Sequence, residues 1–131
     1  MKQRWRATEA VSDISYYFAW CTKYRRKLLD LDIRNRMDNL LRSAALQLNA
    51  KIEELDLFPD HVVMCITAHP VLAPHQIVQH LKRETYRALT AEFPSLKSRV
   101  PSLWTRPYYV STQRIKPEEA INRFIDSQKN R

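Results

Sequence analysis

The most unusual feature of the sequence is an absence: none of its 131 residues is glycine. Average usage of about 7% would give a chain of this length roughly nine glycines. Glycine is the residue that adopts a positive φ at little cost, so every turn must be made by residues that carry a β-carbon. The absence also excludes the glycine-rich phosphate-binding loops of P-loop and dinucleotide-binding proteins.

Cysteines and long apolar runs are also scarce. The two cysteines, Cys21 and Cys65, lie in apolar stretches and match neither a CxxC pair nor a zinc-ligand spacing, so both are expected to be reduced core residues. No apolar run approaches the roughly 20 residues needed to span a membrane, and residues 1–10 are charged, without the apolar segment of a secretion signal. The sequence therefore predicts a cytoplasmic protein without membrane association.

Basic residues are in clear excess: 22 Lys and Arg stand against 14 Asp and Glu, for a formal charge of +8. This balance favours polyanionic partners such as nucleic acid. The densest group of predicted contacts is Lys23, Tyr24, Arg25, Arg26 and Lys27. Cations with an interleaved aromatic ring suit a surface that combines phosphate contacts with base stacking, and Lys82, Arg83 and Arg87 extend the predicted set. The alternative is an ordinary solvated charged face.

Hydrophobic periodicity predicts the strands and helices. Aromatic and β-branched residues predict strands at 14–21, 51–58, 61–68 and 107–112. Apolar residues three and four apart predict one helix over 32–49, with Asp32 as its N-cap, and a second from Pro74 to before Pro94. The residues between the second helix and the last strand are expected to be irregular.

The order of these elements predicts the fold class. Pro117, followed by two glutamates, opens a terminal helix. The resulting order β-α-β-β-α-β-α indicates one α+β domain over residues 1–131. We expect a ferredoxin-like (RRM-like) antiparallel sheet with helices on one face and an additional C-terminal helix.

Six segments carry a resemblance to a known family: WCTKYRRK at 20–27, FPDHV at 58–62, LK at 81–82, EFPSLK at 92–97, WTRPYYVST at 104–112 and FIDSQ at 124–128. In this order they resemble the HUH single-tyrosine transposases of the smallest insertion sequences. The resemblance implies a homodimer that cuts and rejoins single-stranded DNA at the hairpin ends of a mobile element. It also implies a tyrosine nucleophile and a divalent metal, Mg²⁺ or Mn²⁺.

The positions that the resemblance assigns to the metal depart from the family pattern. Two histidines at i and i+2 on a strand reach the same metal, because successive side chains alternate faces. Here these positions hold His61 and Val63, and valine has no lone pair to donate. Of the family's two histidines and one glutamine, at most His61 and Gln128 remain, so metal binding is expected to be weak or lost. The alternatives are a hydrogen-bonded His61 at the start of a strand and a polar Gln128 on a partly exposed helix face.

Phe124 stands at the position of the family's nucleophilic tyrosine, four residues before Gln128. A phenyl ring has no oxygen to attack phosphorus or to carry a phosphotyrosine, so covalent catalysis at this position is chemically impossible. With Ile121 and Ile125, Phe124 forms an apolar stripe that is expected to pack on the sheet.

Three functions are compatible with this sequence. The leading hypothesis is a transposase-family protein that binds single-stranded or hairpin DNA, with strand cleavage and transfer lost or impaired. The second is a working transposase in which Phe124 is a substitution made to trap a complex. The third is an RNA-binding or regulatory module on the same fold, which aromatic residues exposed on the sheet face would favour.

Overall fold

Four strands and four α-helices are present in residues 13–99, 102–112 and 114–129, which the computed structural model describes. The strands are β1 (Ile14–Cys21), β2 (Lys51–Leu57), β3 (His61–Ala68) and β4 (Tyr109–Ser111). The helices are α1 (Leu31–Gln47), α2 (Pro74–Glu92), α3 (Ser95–Arg99) and α4 (Glu118–Asp126), and a 3₁₀ turn occupies Lys23–Arg25. Every predicted strand and helix therefore forms. The prediction for residues 1–10 lies outside the described residues.

The strands form one antiparallel sheet in the order β2-β3-β1-β4. β1 pairs with β3 along its whole length, from Ile14 opposite Ala68 to Cys21 opposite His61. β1 is thus the central strand between β3 and β4, and β2 lies at the far edge, which is the split arrangement of ferredoxin-like folds. The predicted α+β class is confirmed.

Side-chain alternation along β1 divides its residues between two cores. Tyr16, Phe18 and Trp20 are buried with α1 and α2 on one face of the sheet. Ala19 and Cys21 lie on the opposite face, where they pack against α4. Because both faces are covered, every residue of β1 from Tyr16 to Cys21 is buried.

Three features of the fold differ from the sequence expectations. Asp30, not Asp32, is the N-cap of α1, since its side chain accepts a hydrogen bond of 3.0 Å from the Ile33 amide. Residues 95–99, predicted to be irregular, form α3. β4 is shorter than the predicted 107–112, because only 109–111 pair with β1.

The composition led to predictions about the two cysteines and about membrane-spanning segments. Cys21 and Cys65 are both free and buried, as expected. No helix in the described part of the chain combines the length and the apolar character needed to cross a bilayer.

Replacing Asp30 with alanine is expected to lower the free energy of unfolding by about 1 kcal/mol, because the Ile33 amide loses its cap. Asp32→Ala is the matched control: its carboxylate lies in the first turn, where the helix dipole contributes about 0.3–1 kcal/mol. Urea unfolding of both variants and of the unchanged protein measures the difference. A loss for Asp30→Ala no larger than for Asp32→Ala would contradict the capping assignment.

Candidate functional site

The sheet face opposite α1 and α2 carries a row of side chains contributed by three strands. Val63 of β3 lies opposite Ala19 of β1, which lies opposite Tyr109 of β4. α4 packs on this row and completes a small hydrophobic core, which we call the α4 cluster. Its buried members are Ala19, Cys21, Val63, Ile121 and Ile125, with Tyr109 and Phe124 partly buried against them.

Phe124 contributes its ring to the α4 cluster, as the apolar stripe predicted. The centroid of this ring lies 6.2 Å from that of Tyr109, with the two planes at 49°. Burial raises the pKa of the Cys21 thiol to about 11, so this group is protonated at neutral pH. Apart from the Tyr109 phenol, the α4 cluster presents aliphatic carbon, a phenyl ring and a neutral thiol. Such a surface is suited to packing rather than to holding charge.

His61 is oriented by Asp60, a carboxylate residue that is only 6% exposed. The Nδ1 atom of His61 lies 2.7 Å from Asp60 Oδ1, and its ring stacks on Phe58 at a centroid distance of 4.3 Å. The other carboxylate oxygen, Oδ2, accepts a hydrogen bond of 3.2 Å from Arg25 Nε and lies 3.1 Å from Arg25 Nη2. One ring nitrogen of His61 is therefore committed to the protein, and only Nε2 is left for a ligand.

Gln128 lies just beyond the end of α4 and is buried, not on a partly exposed helix face as expected. The residue is 3% exposed, and its backbone N–H donates to the Ile125 carbonyl at 3.1 Å. Its side-chain Nε2 donates to Ser127 Oγ at 2.9 Å. Its Oε1 has no hydrogen-bond partner among the described residues. Gln128 thus retains one buried acceptor that the protein does not satisfy.

The basic segment at 23–27 begins with a turn in an unusual backbone conformation. Tyr24 and Arg25 have φ angles of 59° and 52°, in the left-handed region. This region costs a residue other than glycine about 1–3 kcal/mol. Thr22 anchors the turn, since its N–H donates to the Asp60 carbonyl at 2.9 Å and its hydroxyl donates to the Arg26 carbonyl at 2.7 Å. The hydrogen bonds of Thr22 to Asp60 and to Arg26 therefore hold the turn in this strained conformation.

Most side chains of this segment face solvent. Tyr24, Arg26 and Lys27 are exposed, and the Lys23 ammonium lies 5.2 Å from the centroid of the Tyr24 ring. A cation beside an exposed ring is the arrangement predicted for nucleic-acid contacts. The binding role of these residues stays a prediction.

Arg25 points away from this surface and towards α4. Besides its contact with Asp60, its Nη1 donates to the Ile125 carbonyl at 3.4 Å and lies 3.8 Å from Asp126 Oδ1. That carbonyl belongs to the last turn of α4, where a cation interacts favourably with the helix dipole. Arg25, grouped with the DNA contacts by sequence, thus joins the turn, the start of β3 and the end of α4.

The basic residues of α2 occupy three different environments. The Nζ atom of Lys82 donates to the carbonyls of Thr105 at 2.8 Å and Arg106 at 3.2 Å, and burial lowers the pKa of this ammonium to about 8. Arg83 is exposed, and Arg87 is exposed and paired with a glutamate one turn earlier. Lys82 therefore fixes the segment before β4 against α2, whereas Arg83 and Arg87 reach the surface.

Comparison with known proteins identifies the family. The family model "Transposase IS200 like" matches residues 10–128. The chain belongs to the IS200-like transposase family. It is also 28% identical over 120 residues to the ISDra2 transposase TnpA of Deinococcus radiodurans, a match that covers 90% of this chain and 86% of that protein.

Two solved structures resemble this transposase-family chain. A crystal structure assigned as a transposase of Deinococcus radiodurans R1 superposes with a TM-score of 0.87 at 28% identity, covering 98% of both chains. A REP-associated tyrosine transposase, solved bound to a REP hairpin, gives a TM-score of 0.61 at 12% identity, covering 98% of this chain and 76% of that one. The second match shows the fold alone. The family match confirms the family predicted from the sequence, and the first of these two structures agrees with it.

The donors of this chain do not fit the divalent metal that the transposase family implies. Val63, at one of the positions that the resemblance assigns to a metal ligand, packs in the α4 cluster and has no lone pair to offer. His61 Nε2 and Gln128 Oε1 are the two donors that remain at the predicted positions. Within the described ranges, no three His, Cys, Asp or Glu side chains come together as a possible metal site. A three-ligand site of the expected kind is therefore incomplete.

Asp60 was not among the predicted site residues, and the packing of Tyr109 against α4 was not predicted. The signal that could have indicated Asp60 is its position next to His61, since a neighbouring carboxylate commonly fixes a histidine ring. Tyr109 faces α4 only because of the register between β4 and β1. No local sequence pattern reports that register.

Replacing Arg25 with methionine is expected to lower the free energy of unfolding by about 2–4 kcal/mol, because the Asp60 carboxylate loses its cation while staying buried. Arg26→Met removes the same charge from an exposed position in the same turn, and should change stability by no more than about 0.5 kcal/mol. Urea unfolding measures both, and hydrogen exchange should be faster in α4 only for Arg25→Met. Equal effects of the two substitutions would contradict the joining role of Arg25.

The lowered pKa of Lys82 predicts a pH-dependent stability. Its folded-state pKa of about 8 lies below the ordinary 10.5, so the unfolded chain binds more protons between these values and stability rises with pH across them. In Lys82→Met this contribution is absent. The stability of the variant relative to the unchanged protein should therefore be highest below about pH 8 and fall as the pH rises towards about 10. Urea unfolding across this range tests it, and a difference independent of pH would argue against the lowered pKa.

Proposed function

We propose that this chain is a DNA-binding member of the transposase family in which strand cleavage and transfer have been lost. The α4 cluster is the observation that carries the proposal. Phe124 and Val63, at the positions that the resemblance gives to the nucleophile and to a metal ligand, both pack in it. Cleavage by the family's route needs a tyrosyl oxygen and a metal-polarised phosphate, and these two side chains supply neither.

DNA binding rests on other parts of the molecule. Neutralisation of phosphates by Lys and Arg supplies nearly all non-specific affinity for DNA, and the chain carries a formal charge of +8. The exposed Tyr24, Arg26 and Lys27 side chains lie outside the α4 cluster. The REP-associated transposase, which shares the fold, was solved with a REP hairpin. These observations support single-stranded or hairpin DNA as the partner of this chain.

We extend this proposal to the oligomeric state, the cellular location and the metal binding of the protein. A homodimer is inferred from the family resemblance. Two buried free thiols are compatible with a reducing compartment such as the cytoplasm. Weak or lost binding of Mg²⁺ or Mn²⁺ is inferred from Val63 at a ligand position.

Both alternatives from the sequence are less well supported. A working transposase with a deliberate substitution at Phe124 would keep its metal ligands, and Val63 counts against it. An RNA-binding module would be favoured by exposed aromatic rings on the sheet, but β1 is buried on both faces from Tyr16 to Cys21. We therefore favour DNA binding without cleavage.

A set of variants at two positions separates binding from cleavage. The set is the unchanged chain, Phe124→Tyr, Val63→His and the double substitution. With single-stranded hairpin DNA and Mg²⁺ or Mn²⁺, all four proteins are expected to bind. Only the double substitution should cut and form a covalent adduct, because it regains both the phenol oxygen and the second imidazole. Mobility shifts measure binding, and denaturing gels measure cleavage.

A second double variant, Val63→Leu with Phe124→Leu, is the matched control, since it changes the same positions without adding an oxygen or an imidazole. It should bind and not cut. Cleavage by the unchanged chain would sink the proposed loss of chemistry. Cleavage restored by Phe124→Tyr alone would favour the working transposase. Absence of binding at low salt in the unchanged, folded protein would rule out the DNA-binding function.

A further inference from the structure

A groove lies between α2 and the segment 102–108. Its volume is about 610 Å³, which is within the range of roughly 300–1,000 Å³ that small-molecule sites occupy. One face of α2 lines it, because the lining positions 75, 78, 82 and 86 follow one another at intervals of three and four residues. Leu103 and Trp104 contribute apolar surface from the facing segment. The groove can therefore hold a small molecule that contains an aromatic ring.

The amine of Lys82 lies in the lining of this groove. Its Nζ atom donates to the Thr105 carbonyl at 2.8 Å and to the Arg106 carbonyl at 3.2 Å. An ammonium group has three hydrogens to donate, whereas a neutral amine has two hydrogens and one lone pair. Both hydrogen bonds can therefore persist when the amine is neutral, and the lone pair then points away from the two carbonyls.

Burial favours the neutral form of this amine. It lowers the pKa of Lys82 to about 8 from the ordinary 10.5. The amine is then neutral in about one molecule in ten at pH 7, whereas an ordinary lysine is neutral in about one molecule in 3,000. A lysine whose pKa is lowered by burial is suited to form a Schiff base with a carbonyl compound. Lys82 is therefore a reactive amine near neutral pH.

Two arginines flank this amine. Arg83 follows Lys82 in α2, and Arg106 contributes one of the two carbonyls that the amine contacts. Both arginines line the groove and are exposed. Within the described residues, no hydrogen bond or ion pair engages the Arg106 guanidinium, and the side-chain contact of Arg83 is a long one of 3.5 Å to His80. Because guanidinium groups bind phosphate through paired hydrogen bonds, the groove can hold a phosphate group close to the amine.

Two tyrosines supply aromatic surface beside the amine. Tyr86 lies one turn after Lys82 on α2, and Tyr108 lies just beyond the two residues whose carbonyls Lys82 holds. Both tyrosines are partly exposed and line the groove. The Tyr108 ring packs on Phe18, with 6.1 Å between the ring centroids. A planar ring bound in the groove can therefore pack against aromatic side chains.

We propose that this groove binds a phosphorylated aromatic aldehyde and that Lys82 forms a Schiff base with it. The phosphate is held by Arg83 and Arg106. The ring lies against Tyr86 and Tyr108. The three parts of such a ligand match the three kinds of side chain that meet in the groove: an amine, guanidinium groups and aromatic rings. Recognition of this molecule does not require DNA, so the site is independent of the proposed DNA-binding function.

The covalent step needs no reactant besides the amine and the aldehyde. The lone pair of Lys82 Nζ attacks the aldehyde carbon, and a C–N bond forms. The carbonyl oxygen then leaves as water together with the two amine hydrogens, and an imine remains. The imine nitrogen carries one hydrogen when it is protonated and none otherwise, so it can donate to only one of the Thr105 and Arg106 carbonyls. The adduct therefore frees at least one of these two carbonyls.

Pyridoxal phosphate is the probe that tests the proposal, added in equimolar amount to the full chain without DNA. Borohydride reduces the imine, and mass spectrometry of peptides locates and quantifies the adduct. Lys82 should be modified at least about tenfold faster than any other lysine, because a much larger fraction of its amine is neutral. Pyridoxal, which lacks the phosphate, should modify Lys82 about tenfold more slowly, because it loses the hydrogen bonds to the guanidinium groups.

Variants of the groove separate the phosphate contacts from the reactive amine. Arg83→Gln combined with Arg106→Gln should slow the modification of Lys82 by pyridoxal phosphate about tenfold and leave its reaction with pyridoxal within about threefold. Lys82→Met should lose the main adduct. Lys51→Met is its matched control and should keep the adduct, because it removes an amine from an exposed position of β2 outside the groove.

Both arginines are exposed, so their double variant keeps the test decisive if Lys82→Met does not fold. Modification spread evenly over the lysines of the unchanged protein would overturn the proposal. So would a Lys82 adduct that forms as fast with pyridoxal as with pyridoxal phosphate, or as fast in the arginine variant. Mobility shifts with hairpin DNA measure the DNA-binding function separately, so failure of one does not imply failure of the other.

Discussion

The carboxylate of Asp60 is the contact on which the geometry around the α4 cluster depends. It is buried, accepts a hydrogen bond from Arg25 Nε and forms an ion pair with the same guanidinium, while His61 lies against its other oxygen. A buried carboxylate without a cation is strongly destabilising, so the guanidinium of Arg25 has to reach inward. The backbone meets this requirement with positive φ angles at Tyr24 and Arg25, in a chain that has no glycine to offer. The same backbone conformation that directs the Arg25 side chain inward leaves the Tyr24 ring exposed.

Strand alternation explains why position 63 of β3 matters both for the packing of α4 and for the proposed loss of cleavage. His61 and Val63 share the face that α4 covers, whereas Val62 and Met64 point into the larger core. A polar side chain at position 63 would lie beside Ile121 in the α4 cluster and would need a hydrogen-bond partner there. With valine, the contact between α4 and the sheet becomes continuous and apolar, and Phe124 extends it without a hydroxyl that needs a hydrogen bond. Packing and metal ligation are competing uses of the same position.

The periodicity of the sequence predicted the strands, α1 and α2 because each has a strong apolar pattern, whereas Pro117 and the two glutamates after it predicted α4. The periodicity missed α3, whose five residues are too few to show a helical period. Asp32 was predicted as the N-cap instead of Asp30 because both are aspartates close to the start of the same apolar stripe, and the sequence pattern does not distinguish them. The family resemblance assigned the positions of Phe124 and Val63 to the predicted site. The inward direction of Arg25 and the burial of Gln128 could not be predicted, because they depend on long-range contacts. No local pattern distinguishes an arginine that binds DNA from one that pairs with a carboxylate 35 positions later.

At the predicted site, the residues that match the family pattern and those that depart from it have different structural roles. His61 belongs to the network with Asp60 and Arg25, and this network supports the basic turn whether or not a metal binds. Its replacement would disturb the turn, so His61 is constrained by structure as well as by chemistry. A histidine at 63 or a tyrosine at 124 has no such second role, because both positions face α4, where apolar side chains pack without unsatisfied polar atoms. In a protein that kept DNA binding and lost cleavage, His61 would therefore persist while these two positions drifted to Val63 and Phe124.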